Sequence, residues 1–154
     1  MELTDRVRAY WDADAATYDD SADHGAASPA EQAAWNAALC RLLPSPPCHV
    51  LDAGAGTGFL SLACGRLGHR VTALDLSSGM LARLGAAADR DGLAVEVVEA
   101  EAASPPPGPF DAVIERHLLW TLPDPGAALA AWRAVAPAGR LVLFEGLWGR
   151  ADPV

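Results

Sequence analysis

The chain has 154 residues and a formal net charge of −9, with 51% hydrophobic and 20% charged residues. This length suits one domain with a sizeable core and is too short for two. An acidic chain without a single lysine is poorly suited to bind nucleic acid, and no apolar run approaches the roughly 20 residues of a membrane span. The segment from Met1 to Tyr18 is charged and lacks the apolar core of a signal peptide, which predicts a cytoplasmic location.

The N-terminal part of the sequence predicts two helices. Thr4 is a candidate N-cap of the first helix, and the polar stretch over residues 19–27 is interpreted as a loop. Ser28 stands three residues before Glu31 with a proline between them, a pattern typical of a helix start. We therefore expect one domain over residues 1–154, made of a helical cap (1–47) and a core (48–154).

The core alternates between strands and helices. The predicted strands cover residues 49–51, 70–76, 95–98, 110–115 and 140–145, and the predicted helices cover 59–67, a segment that starts at 77 or 78, and 125–136. Strands that are apolar on both faces and are separated by helices indicate a parallel sheet covered on both sides. The expected fold class is therefore α/β, with a Rossmann-like doubly wound sheet. Ligands of such sheets bind at the carboxyl ends of the strands, where the strand order reverses.

A glycine-rich loop follows the first of these strands. The strand ends at Asp52, and Gly54, Gly56 and Gly58 come next, directly before a helix. Glycine lets a ligand approach the backbone closely, and a helix start attracts a carboxylate or phosphate. The dinucleotide fingerprint places its third glycine one residue later, where Phe59 stands here. The observed spacing resembles instead the S-adenosylmethionine (SAM) dependent methyltransferases.

The second strand ends in an acidic residue, Asp75. A carboxylate at this place accepts hydrogen bonds from both hydroxyls of a ribose. An aspartate before a serine is also an ordinary way to begin a helix. Asp75 therefore supports an adenosine-containing cofactor without separating NAD from SAM.

Longer segments carry the resemblance further. The runs 110–125 and 132–143, together with an N-terminal run over 10–19 and 23–25, are similar to the methyltransferase-11-like, UbiE-type small-molecule enzymes. Ala138 stands where that family has the first glycine of a turn. The resemblance covers nearly the whole chain and implies a mostly parallel sheet of order 3-2-1-4-5, with helices on both faces.

The resemblance also implies a set of SAM-binding residues. They are Tyr18, Asp52, Gly54, Ala55, Gly56, Gly58, Asp75, Leu76, Glu101, Ala102 and Glu115. Glu101 stands where the family has the aspartate that binds the adenine, although Glu99 could take that role instead. Alternatively, both glutamates are solvent-exposed acids in a loop. Glu115 is expected to offer its backbone carbonyl to the amino group of SAM. Tyr18 is expected to close over the methionine end, or else to be a packing aromatic.

Methyl transfer from a sulfonium is an in-line displacement that mainly requires alignment of the nucleophile. His117 and His24 are the candidate catalytic bases, because histidine titrates near neutral pH, and the alternative for each is a polar surface role. Arg116 is a candidate to hold an acidic group of the acceptor, or to pair with Asp124. No metal site is predicted.

The sequence thus predicts SAM-dependent methyl transfer to a small-molecule acceptor. The alternatives are a SAM- or SAH-binding module without its own activity, acting through a partner, and an NAD-dependent oxidoreductase. The family's sheet normally has two further strands after the fifth, and this chain ends at Val154. We therefore expect either a fragment or an exposed edge strand at 140–145 that a homodimer or another chain covers.

Overall fold

The structure is a computed structural model that describes residues 2–21, 24–25 and 28–146. The helices are α1 (Leu3–Asp14), α2 (Pro29–Leu42), α3 (Phe59–Arg66), α4 (Ser78–Asp91) and α5 (Pro125–Val135). The strands are β1 (His49–Ala53), β2 (Arg70–Asp75), β3 (Val95–Glu99), β4 (Ala112–Arg116) and β5 (Arg140–Phe144). Short 3-10 helices cover Tyr18–Asp20 and Leu119–Thr121, which the sequence did not predict.

The strands form one sheet in the order β3-β2-β1-β4-β5, and every neighbouring pair is parallel. This confirms the predicted fold class and strand order. Asp52 near the end of β1 lies opposite Ala73 of β2 and Ile114 of β4. The strand order reverses between β1 and β4, so the glycine loop after β1 lies at the place where such sheets bind ligands.

Helices cover both faces of the sheet, as predicted. Leu39 of α2 and Leu60 of α3 pack with Val50 on one face. Trp132 of α5 packs with Leu51 on the other. Successive residues of β1 thus enter opposite cores, because side chains alternate along a strand. A buried sheet of this kind holds the carboxyl ends of its strands in fixed positions.

Local signals set several element boundaries. The Ser28 hydroxyl accepts a hydrogen bond from the Glu31 N–H, as the sequence predicted. The predicted Thr4 cap is wrong, because α1 begins at Leu3 and Glu2 occupies the cap position without a side-chain bond. The predicted fourth strand begins too early, because the Phe110 N–H donates to the Val135 carbonyl at the end of α5 instead of joining the ladder.

Strand β5 forms one edge of the sheet, and in the described part of the chain no strand pairs with its outer side. The Leu143 side chain on this strand is 39% exposed. Among the described residues no helix is long and apolar enough to cross a bilayer. The division into a cap over 1–47 and a core over 48–154 stays a prediction.

Candidate cofactor site

The glycine loop turns sharply at the carboxyl end of β1. The φ angles of Gly54, Gly56 and Gly58 are +70°, +56° and +101°, values that side-chain-bearing residues rarely adopt. The N–H groups of Gly54 and Ala55 both donate to the Leu74 carbonyl, at 2.8 and 3.0 Å, which ties the loop to β2. The conformation of this loop therefore favours glycine at each of the three positions.

The three glycines differ in what surrounds them. A Cβ atom on Gly58 would lie 2.7 Å from Leu84 Cγ, and one on Gly54 would lie 2.8 Å from Leu118 Cδ2. A Cβ atom on Gly56 would have nothing within 4 Å. Gly54 and Gly58 thus serve close packing within the protein, whereas Gly56 leaves the backbone open to a ligand.

Asp75 lies beside this loop at the end of β2. Its Oδ2 accepts from the Gly56 N–H and its Oδ1 from the Ser77 N–H, both at 2.8 Å. Burial raises the pKa of the Asp75 carboxyl, and these hydrogen bonds oppose that shift. A carboxylate offers about four acceptor positions, so both oxygens retain capacity for a ribose hydroxyl. Asp75 also holds the glycine loop in place, which the sequence did not reveal.

Asp52 is buried beneath the loop, with 2% of its surface exposed. Its Oδ2 accepts from the Ser61 hydroxyl at 2.6 Å, which joins the end of β1 to α3. Burial raises the pKa of Asp52 to about 7 despite this hydrogen bond. Asp52 therefore titrates near neutrality.

A pocket of about 40 Å³ opens above the loop. Its lining residues are Tyr18, Asp52, Gly54, Ala55, Gly56, Thr57, Phe59, Leu60 and Arg116. The structure thus brings together five of the predicted cofactor residues, which are Tyr18, Asp52, Gly54, Ala55 and Gly56. It adds Arg116, for which the sequence had suggested only an acidic group of the acceptor or Asp124 as a partner. Cofactor pockets usually measure about 300–1,000 Å³. The pocket itself is smaller than that, and it shares Thr57 and Phe59 with a larger neighbouring groove.

Tyr18 lines this pocket, and His24 packs against it. Their rings stack at 3.8 Å with an interplanar angle of 10°. His24 Nδ1 lies 2.6 Å from the Tyr18 carbonyl oxygen. A carbonyl only accepts, so Nδ1 carries the hydrogen and Nε2 of the neutral ring is left as the acceptor nitrogen. His24 also lines a neighbouring groove of about 520 Å³.

Glu115 on β4 is fully buried. Its Oε2 accepts from the N–H groups of Leu118 and Leu119, at 2.8 and 3.3 Å, and Oε1 finds no hydrogen-bond partner within the described part of the chain. Burial raises the pKa of this carboxyl. The side chain thus orders the turn after β4, a role that sequence reasoning missed because it considered only the backbone carbonyl.

Four further candidates do not line this pocket. His117 is exposed and adopts a φ of +60°, and it does not line the pocket. Glu101 is exposed, and the Ala102 carbonyl accepts from Trp132 Nε1 at 2.8 Å. The Leu76 carbonyl accepts from Arg8 Nε at 3.3 Å. Contacts of these residues with a cofactor stay predictions.

The suggested pairing of Arg116 with Asp124 is wrong. Asp124 caps α5 by accepting from the Ala127 N–H at 2.9 Å. Arg116 Nη2 instead donates to the His24 carbonyl at 2.9 Å. The first turn of α5 thus provides the hydrogen-bond donor for the Asp124 carboxylate, and the Arg116 guanidinium stays at the cradle, the pocket at the glycine loop.

The sequence matches a known protein family. The family described as "Methyltransferase domain" matches residues 51–143, more than half of the chain. The chain belongs to this methyltransferase family. The match covers the glycine loop, Asp75 and the β4 end together, and it removes the dinucleotide interpretation.

Several curated relatives are ubiquinone biosynthesis O-methyltransferases. The one from Xanthomonas campestris pv. campestris is 39% identical over 102 residues, which cover 64% of this chain and 43% of the relative. The one from Albidiferax ferrireducens is 36% identical over 117 residues, covering 73% and 45%. The chain thus spans less than half the length of these relatives.

Solved structures share the fold. Magnesium protoporphyrin IX methyltransferase from Synechocystis, with bound SAM, is 26% identical with a TM-score of 0.57, covering 67% of this chain and 50% of its own. A SAM-dependent methyltransferase from Aquifex aeolicus has a TM-score of 0.64 at 20% identity, covering 82% and 77%. The expected cofactor, SAM, is confirmed as that of the family.

Proposed function

We propose that this chain binds SAM at the cradle and supports methyl transfer to a small-molecule acceptor. The observation that carries the proposal is the juxtaposition of Gly56, whose backbone faces open space, with the Asp75 carboxylate on the neighbouring strand. When bound, SAM supplies an activated methyl group. The match covers less than half of the relatives that are named O-methyltransferases, so the acceptor atom is not transferred from them.

The chain's own residues would hold the cofactor along the carboxyl edge of the sheet. Asp75 would accept from the ribose hydroxyls with its remaining acceptor capacity. Leu76, Glu101 and Ala102, which lie on the loops after β2 and β3, would surround the adenine. Tyr18 would close the methionine end, where its ring already lines the pocket.

His24 is the better placed of the two candidate bases. Its Nδ1 is held by the Tyr18 carbonyl, which leaves Nε2 to accept a proton. Neither histidine lines the pocket at the glycine loop, but the His24 ring stacks on Tyr18, which does, and His24 also lines the neighbouring groove. Burial together with Arg116 lowers the pKa of His117. We therefore propose that His24 takes the acceptor's proton if the acceptor requires its removal.

Cofactor binding is tested by calorimetry with S-adenosylhomocysteine (SAH). Asp75→Asn should weaken binding by about tenfold or more, because it removes charge-assisted hydrogen bonds to the ribose. Asp111→Asn is the matched control. That carboxylate also accepts a backbone N–H, from His49, but it lies at the amino ends of β1 and β4, away from the cradle. Equal affinities of both variants would contradict the assignment of Asp75.

Turnover is tested by following SAH formation from SAM with a panel of phenols, amines and carboxylic acids. Acceptor-dependent SAH formation supports the methyltransferase proposal. SAH binding without turnover on any acceptor favours the alternative, a non-catalytic SAM- or SAH-binding module.

We also propose a cytoplasmic location and a partner, a second copy or another chain, on the outer edge of β5. Support for the location is that Cys40, Cys48 and Cys64 are free thiols, as is usual in a reducing compartment. Support for the partner is the half-exposed apolar surface of that edge strand, with Leu143 39% exposed. A monomeric mass in light scattering, together with unprotected β5 amides in hydrogen exchange, would contradict the partner.

A further inference from the structure

Arg116 is a half-buried cation in the cradle. It stands at the end of β4 and lines the same pocket as Gly54, Gly56 and Tyr18. The ion pairs found among residues 2–21, 24–25 and 28–146 do not include Arg116. Burying a guanidinium without a carboxylate partner is costly, so the position calls for an anion that binds there.

The Arg116 guanidinium lies against two aromatic rings. Its Cζ lies 3.8 Å from the centre of the Phe59 ring and 5.7 Å from the centre of the Trp35 ring. Its Nη2 donates to the His24 carbonyl at 2.9 Å. A guanidinium has five N–H donors, so most of them remain for another acceptor. Stacking fixes the plane of the group and preorganises it to receive a planar anion.

Asp52, the acid among the residues that line this pocket, fills this role only in part. Asp52 is 2% exposed and accepts from the Ser61 hydroxyl. Burial raises its pKa to about 7, so the Asp52 carboxyl is partly neutral at physiological pH. Arg116 therefore carries a positive charge that Asp52 and Glu31 offset only in part, since burial lowers the pKa of the guanidinium while both carboxylates raise it.

We propose that Arg116 binds the α-carboxylate of the methionine part of SAM. A carboxylate matches the guanidinium fork, which donates two parallel hydrogen bonds. The position also fits, because Phe59, on which Arg116 stacks, is the first residue of α3 and directly follows the glycine loop. This inference rests on SAM binding at the cradle, and it replaces the earlier suggestion that Arg116 holds an acidic group of the acceptor.

The test compares two ligands that differ only at the amino-acid end. SAH carries the carboxylate, whereas 5′-methylthioadenosine keeps the adenosine and the sulfur and lacks the amino-acid part. Calorimetry is run with the wild type, Arg116→Gln and Arg116→Lys. The control is Arg41→Gln, which removes the same charge from an exposed position on α2.

We expect Arg116→Gln to weaken SAH binding by roughly tenfold or more, the range for a hydrogen bond to a charged group. Its affinity for methylthioadenosine should stay within about twofold of the wild type, which also shows that the variant is folded. Arg116→Lys should retain part of the SAH affinity, because it keeps the charge and loses the fork. Arg41→Gln should bind both ligands as the wild type does.

Two results for Arg116→Gln would overturn the assignment. If Arg116→Gln weakens both ligands equally, Arg116 is only a structural support of the cradle. If it weakens neither, the carboxylate binds elsewhere. A wild type that binds methylthioadenosine and SAH equally well would also overturn it while leaving the cradle intact. Failure of the wild type to bind either ligand would instead overturn the cofactor proposal together with this one.

Discussion

Replacing Gly58 and Gly56 by alanine should have opposite consequences, although both lie in the same loop. At Gly58 the φ angle is +101° and the new Cβ would lie 2.7 Å from Leu84 Cγ. The strain of a left-handed residue costs about 1–2 kcal/mol, and overpacking a core costs about 1–3 kcal/mol more. We therefore expect Gly58→Ala to lower the free energy of unfolding by about 2–5 kcal/mol.

At Gly56 only the strain applies. Its φ angle is +56°, and a Cβ there would have no neighbour within 4 Å. We expect Gly56→Ala to lower the free energy of unfolding by about 1–2 kcal/mol. The added methyl group would occupy the side from which the cofactor approaches the backbone, so the SAH affinity should fall more than the stability.

Urea denaturation measures the free energy of unfolding, and calorimetry measures SAH affinity of the folded variants. Gly58→Ala should show the larger loss of stability, and Gly56→Ala the larger loss of affinity. The reasoning is refuted if both variants lose the same stability, because the contact of Gly58 with Leu84 would then have no energetic weight. It is also refuted if Gly56→Ala binds SAH as the wild type does.

Three further predictions concern buried polar groups. Because burial raises the pKa of Asp52 to about 7, the folded chain retains a proton that the unfolded chain releases above about pH 4. The wild type should therefore lose up to about 4 kcal/mol of unfolding free energy from this group as the pH rises from 4 to 7, and Asp52→Asn should not. Urea titrations check this, with the exposed Asp89→Asn as the charge control, and an unchanged pH dependence in Asp52→Asn would refute it. Ser77→Ala should lower the unfolding free energy by about 1 kcal/mol, since its hydroxyl caps α4 at the Met80 N–H, and an unchanged thermal midpoint would contradict this. Glu115→Ala should cost about 1–3 kcal/mol by leaving the buried Leu118 N–H without its acceptor, whereas Glu115→Gln should keep most of the stability, and equal losses in urea denaturation would argue against this role.

The sequence by itself determined the architecture and the position of the cradle. Alternating apolar strands and helices predicted the sheet, and the cap at Ser28 was correct. The three glycines indicated a sharp turn at the end of β1, and each has a positive φ. These features are local, because caps and tight turns depend on residues within a few positions of one another, and burial imposes the alternation along each strand.

Only the tertiary structure decided which charged groups are buried and what they contact. Glu115 caps a turn with its side chain, and Arg116 stacks on Phe59 instead of pairing with Asp124. His24 lies 92 residues from Arg116 in the chain, yet its carbonyl accepts from that guanidinium. Such contacts depend on how helices and loops pack above the sheet. Neither residue type nor spacing encodes that geometry, because burial and distance are properties of the folded chain.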